Sequence, residues 1–244
     1  MDSKVETIAG ELRQRIKSGE FGRAGRIPPQ RALCDYYNVS RDTINRAIKI
    51  LEAEGLLVTQ GKSTYTHLPI RLPAFVSNYD DYIRARGLEP ISEFIEPPNM
   101  VTPPSWAAEW LNKPASESVP HRRLRQGIVY SIGRVYYRLS ENFYNPDLIT
   151  DQIFSQLQAD PFFNTWTALR QAHGIEIVTS RNRAFVRLPT AEEQHLLAID
   201  KEMPVLELRR VQLAEADLPV MVNRLIFVSG RFELFFEASP ASQE

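Results

Sequence analysis

The sequence has almost no cysteine. Cys34 is the single one among 244 residues, so no internal disulfide can form and no cysteine-based zinc framework exists. A reducing compartment is the expected setting, and Cys34, flanked by Leu33 and Asp35, reads as packing rather than as a redox sensor. No stretch approaches the roughly 20 apolar residues that cross a bilayer. The N-terminal MDSKVETIAGELRQRI lacks an apolar signal core, so no membrane partner is expected and the cytoplasm is the expected location. The usual catalytic signatures are missing as well: no G-x-S-x-G, G-x-G-x-x-G, Walker loop, H-E-x-x-H or C-x-x-C occurs. His67, His121, His173 and His195 are isolated from one another and read as surface or hydrogen-bonded side chains. Neither an enzyme nor a cofactor is implied.

Net charge is also nearly lacking. The total of −1 argues against a nucleic-acid binder when taken whole, but residues 1–67 carry +3 and residues 68–244 carry −4. With 43% hydrophobic and 24% charged residues, the chain has the composition of a globular protein and the length for two domains of ordinary size.

In the basic part, Val5, Ile8, Ala9, Leu12 and Ile16 recur at helical spacing and predict an amphipathic helix ending near Ser18-Gly19. The following GEFGRAGRIPP forbids a continuing helix, and Pro29 opens a short second helix through Tyr37. Ser40 is placed to cap a third helix, RDTINRAIKILEAEG, which Gly55 ends. Ile44, Ala47, Ile48 and Leu51 form its inward stripe, while Asp42, Asn45, Arg46 and Lys49 lie opposite, with Arg41 and Thr43 on the flanks. Such side chains hydrogen-bond phosphates and base edges, although a merely solvated helix face has the same look. LLVT, QGKS and TYTH then read as a hairpin with Gly61 and Lys62 at its tip. Three helices followed by a β wing make a winged helix-turn-helix, whose third helix enters the major groove of double-stranded DNA.

The acidic part alternates strand patterns such as VLELR and VMV with short helices, which predicts an α+β domain on an antiparallel sheet. Arg123, Arg125, Arg134 and Arg224 fall within predicted strands, where an arginine either points outward or serves a site.

The strings IPPQRAL, NVSRDTIN, AIKILEAEGLL and QGKSTY resemble the GntR family of transcription regulators over residues 5–67. The resemblance implies DNA contacts at Arg31, Arg41, Thr43, Gly61 and Lys62. Asn45 stands where the family commonly has Arg, and Ser63 where it has a second wing Gly, so the operator sequence is not transferable.

Residues 73–237, from FVSNYDDYIRARGLEP to LPVMVNRLIFVSGRFELFF, resemble the effector-binding domain of the HutC branch, the chorismate-lyase-like UTRA fold. That likeness implies an anion clamp at Arg123-Leu124-Arg125. It puts Arg134 and Arg224 near the places of two family acids, Phe227 near an aromatic residue and Asn78 near a hydroxyl residue.

If both acids are replaced by arginine, the effector should be rich in negative charge and poor in amino groups: a phosphorylated sugar, a phosphonate, a sugar acid or another organic acid. The expected division is a DNA-binding domain over residues 1–67, a linker over 68–72, and an effector-binding and dimerisation domain over 73–244. The expected function is a homodimeric, effector-responsive regulator, a repressor on a pseudo-palindromic operator. A constitutive DNA-binding dimer without effector and a chorismate-lyase-like enzyme stand as alternatives.

Overall fold

A computed structural model describes residues 2–21, 26–60, 63–66, 70–73, 78–130 and 133–235. Two compact units are formed, one by residues 1–74, 130–133 and 229–244, the other by residues 75–129 and 134–228.

In the first unit, helix α1 (Asp2–Lys17) buries Val5, Ile8, Leu12 and Ile16 against Ile44, Ala47, Ile48 and Leu51 of α3 (Arg41–Ala53). Burying an aliphatic side chain of this size stabilises by about 1.5–3 kcal/mol, and Leu12, Ile44 and Leu51 are wholly buried. Between them, α2 (Gln30–Tyr37) adds Leu33 and ends on Asn38 in the left-handed region, φ 49°. Ser40 caps α3 by accepting the Thr43 N–H, and Gly55, φ 71°, closes it. The wing is the antiparallel pair β1 (Leu57–Gln60) and β2 (Ser63–Thr66), extended by a bridge from Arg26 to Tyr65. Its tip residues, Gly61 and Lys62, lie outside the described residues.

The expected linker contains a strand, β3 (Ile70–Pro73), which pairs in parallel with β10 (Phe232–Phe235). This non-local pairing holds Phe232–Phe235 in the first unit, where Gly230 packs on Gly55 backbone to backbone. A Cβ on Gly230 would lie 2.9 Å from the Gly55 Cα.

The second unit is a six-stranded sheet in the order β4 (Glu89–Val101), β5 (Val119–Tyr130), β6 (Gly133–Tyr144), β9 (Pro219–Val228), β8 (Val205–Leu213) and β7 (Thr179–Arg187). The pairs β4–β5, β6–β9, β9–β8 and β8–β7 are antiparallel, and the chain as a whole is α+β. Alternation along the strands sends neighbouring residues to opposite faces. One face carries α4 (Tyr79–Arg84), α6 (Asp151–Ala159) and α7 (Thr165–His173), with Ile153, Leu157 and Leu169 packed on Tyr144 and Met221. The other carries α5 (Ser105–Leu111) and α8 (Ala191–Leu197), where Ala107 and Leu111 pack on Phe143 and Val222, and Leu197 on Leu139 and Ile226.

Candidate functional site

The first candidate surface is the outer side of α3. Because Ile44, Ala47, Ile48 and Leu51 turn inward, Arg41, Asp42, Arg46 and Lys49 are left exposed and Asn45 half-buried. Asp42, Asn45, Arg46 and Lys49 line a shallow groove of about 280 Å³ together with Gln30, Glu52 and Thr59. Gln30 was not foreseen: its side-chain oxygen accepts from Arg41 Nε at 3.1 Å and so fixes the guanidinium at the helix start. Thr43 is half-buried with its hydroxyl 2.9 Å from that of Ser40, and Arg31 is exposed on α2.

The second candidate lies on the sheet face beneath α4 and α7. A cavity of about 100 Å³ is lined by Arg122, Leu124 and Gln126 of β5, Arg138, Ser140 and Asn142 of β6, and Arg210 and Gln212 of β8, with Asn223 of β9. Asn78 and Asp80, at the start of α4, complete the wall. The three guanidiniums are 8%, 4% and 1% exposed for Arg122, Arg138 and Arg210. Gln126 accepts from Arg138 Nε at 2.9 Å and Nη2 at 2.6 Å, the Phe163 carbonyl accepts from Arg122 Nη1 at 3.3 Å, and Asn182 accepts from Arg210 Nε at 2.8 Å.

Arg138 stacks 4.1 Å from the Tyr79 ring centroid and 5.6 Å from that of Phe227. Arg122 Nε, Arg138 Nη1, Asp80 Oδ1 and the Tyr144 hydroxyl are buried without a hydrogen-bond partner in the protein. Buried polar atoms are rarely left so, and four around one cavity make it the candidate polar site of this unit.

The sequence-derived effector residues are split by the sheet. Asn78 and Leu124 line the cavity and Phe227 lies behind Arg138. Arg123, Arg125, Arg134 and Arg224 project from the other face, where carboxylates take them up. Arg123 pairs with Glu192 at 2.7 Å, Arg125 with Glu93 at 2.7 Å, and Arg134 also with Glu93. Arg224 reaches Glu141 at 3.5 Å and both Glu193 and Glu207 at 3.4 Å. Glu207 further accepts from Arg187 and Arg209, each at 2.8 Å. Burial resists its ionisation, yet the hydrogen bonds from Arg209 and Arg187 and the charge of Arg224 outweigh that and hold Glu207 down at about 2.

Sequence reasoning missed Arg122, Arg138, Arg210 and Asp80. In HRRLRQ, arginines occupy both parities of the strand, and both faces of the sheet are covered by helices, so alternation alone does not say which arginine faces the cavity.

Among the described residues no helix is long and apolar enough to cross a membrane, and no cluster of His, Cys, Asp and Glu could hold a metal ion. Residues 4–65 match the bacterial regulatory proteins of the gntR family, and residues 85–233 match the UTRA domain. The chain is 25% identical over 239 residues to a probable fructoselysine utilization operon transcriptional repressor of Escherichia coli (strain K12), covering 93% of this chain and 91% of that one. It is 24% identical over 245 residues to an uncharacterized HTH-type transcriptional regulator of Rhizobium meliloti (strain 1021), covering 94% and 93%. The crystal structure of PhnF from Mycobacterium smegmatis shares the fold, with a TM-score of 0.64 at 18% identity over 96% of this chain and 99% of that one. The Escherichia coli and Rhizobium meliloti relatives are transcriptional regulators rather than enzymes, so the lyase alternative falls away. The chain belongs to the GntR family of transcriptional regulators, in the HutC branch whose DNA-binding winged helix-turn-helix is joined to a UTRA effector-binding domain.

Proposed function

We propose that this regulator is a homodimeric, cytoplasmic repressor released from a pseudo-palindromic operator by a small anionic metabolite held in the Arg122–Arg138–Arg210 cavity. The observation that carries the reading is the state of the guanidiniums: Arg122 and Arg138 are buried, and each keeps a nitrogen without a hydrogen-bond partner at a cavity that Asp80 and Tyr144 also line. Three arginines and one aspartate give the wall a net charge of +2, which suits a dianion such as a phosphate ester, and guanidinium forks match its oxygens. The amides of Gln126, Asn142, Gln212 and Asn223 suit hydroxyl groups, so a phosphorylated sugar or sugar acid fits better than an unsubstituted phosphonate. The relative named for fructoselysine utilization is in keeping with a sugar-derived effector.

In this reading residues 1–67 read DNA, 68–72 link, and the chain from 73 onward senses the effector. Arg31 on α2, Arg41, Asp42, Thr43, Asn45, Arg46 and Lys49 on α3, and Gly61 with Lys62 in the wing meet phosphates and base edges. Dimerisation is supported by the outer edge of β7, a nine-residue strand beside which Val186 and Leu188 are 74% and 63% exposed. An uncovered edge with apolar side chains is a template for pairing.

The test combines light scattering, footprinting and a thermal-shift screen of sugar phosphates, sugar acids, phosphonates and dicarboxylates. A dimer protecting a symmetric site, stabilised by an anion whose effect disappears in Arg138→Gln and persists in Arg125→Ala, is the expected result. An anion response that survives loss of both Arg122 and Arg138 sinks the cavity assignment, and intact DNA binding with no response to any compound makes the protein a constitutive binder.

A further inference from the structure

Asp80 is the single carboxylate among the described residues that line the cavity. Its backbone N–H donates to Asn78 Oδ1 at 2.8 Å, which fixes the residue in the first turn of α4. The side chain is 5% exposed and Oδ1 accepts no hydrogen bond. A carboxylate serving only to neutralise arginine would be bonded to it, as Glu207 is to Arg187 and Arg209 on the far face. Here the two charges are kept apart: Arg138 gives Nε and Nη2 to Gln126 and leaves Nη1 unpartnered, while Asp80 Oδ1 is unpartnered too. Such a pair calls for a molecule with both an acceptor and a donor.

We propose that Asp80 is a specificity-determining residue that selects an effector bearing a protonated amine in addition to its anionic group. This rests on the cavity reading above and reverses the expectation of an effector poor in amino groups. That expectation depended on Arg134 and Arg224 entering the pocket, and both lie on the other face, paired with glutamates.

The test uses the full chain and calorimetric titration with pairs of probes differing in one substituent: aminoethyl phosphate against hydroxyethyl phosphate, and aspartate against malate. The wild type should prefer the amino member of the better-binding pair by about tenfold, the scale of one charge-assisted hydrogen bond. Asp80→Asn should bring that preference below about twofold while leaving the hydroxyl member's affinity equal or higher. Asp80→Ser serves the same purpose if the amide variant does not fold. An amino preference unchanged in the variants, or a hydroxyl preference in the wild type, overturns the assignment of Asp80. Binding sensitive to Arg138→Gln but indifferent to the amine overturns it and leaves the cavity reading standing, whereas no binding by any probe overturns both.

Discussion

The two faces of the six-stranded sheet hold similar chemistry in opposite states. Under α8, arginines 123, 125, 187, 209 and 224 are matched by glutamates, several at 2.7–2.8 Å. Under α4 and α7, arginines 122, 138 and 210 meet amides and carbonyls instead, and Oδ1 of Asp80, the one carboxylate among the described lining residues, has no hydrogen-bond partner. The difference teaches that an arginine in a strand is informative about ligand binding through what it lacks. A saturated guanidinium is part of the scaffold, and an unsaturated buried one is set up to receive something else.

The largest test of this contrast is removal of Glu207. Glu207→Gln takes one of two carboxylates from Arg187, one of three from Arg224 and the carboxylate that Arg209 pairs with, and should cost about 4 kcal/mol in urea unfolding, in the range for breaking a buried ion pair. Arg138→Gln, on the cavity face, should change stability by less than about 1 kcal/mol, because it removes a buried charge that is not ion-paired. Equal costs would erase the distinction between the faces.

Acid titration sharpens it next. Glu207 is lowered from 4.5 to about 2 on folding, so its contribution to stability is present above about pH 4.5 and is lost as pH falls toward 2. It amounts to no more than about 3 kcal/mol. Asp80 has the opposite sign: burial pushes its pKa up against the pull of Arg138 and Arg84, so it costs stability when ionised and gives that back as pH falls toward 3.8. Thermal melts between pH 2 and 6 should therefore have a shallower acid limb in Glu207→Gln, where the other lowered glutamates remain, and a steeper one in Asp80→Asn.

Effector affinity gives a smaller separation of the same kind. Arg138→Gln should weaken binding of the best anion by about 2 kcal/mol, and Arg125→Ala by less than about 0.4 kcal/mol, both read by calorimetry. A separation of about 1 kcal/mol is expected on the exposed side of α3. Lys49→Ala should cost about 1 kcal/mol in operator affinity across sequences and reduce the salt slope by about one, while Asn45→Ala should alter base preference instead. A uniform loss from both would show that the two are not divided between phosphate and base.

Much of the first unit was legible in the sequence. Ile44, Ala47, Ile48 and Leu51 fix the inward face of α3, Ser40 its start and Gly55 its end, all by interactions within a few residues. The α+β character of the second unit was legible for the same reason. The pairing of β3 with β10 was not, since it joins Ile70–Pro73 to Phe232–Phe235, segments remote from one another in the chain. The site was only partly readable. Asn78 and Leu124 line the candidate cavity and Phe227 lies behind Arg138, whereas the expected clamp residues Arg123 and Arg125 are one position out of phase with Arg122. A shift of one residue in a strand reverses the face, and a sheet covered on both sides carries no polarity difference to correct it.

The contact between Gly55 and Gly230 has a mechanical consequence. Strand β9 places Met221, Asn223 and Leu225 along the cavity wall and runs without a break to Val228, two residues before Gly230. Neither glycine can gain a side chain without the two segments parting, and both hold a left-handed φ, 71° and 76°. The contact is a bare bearing of peptide on peptide: within the first unit, a displacement of the segment leading into β10 meets the end of α3 with no flexible side chain between them to absorb it.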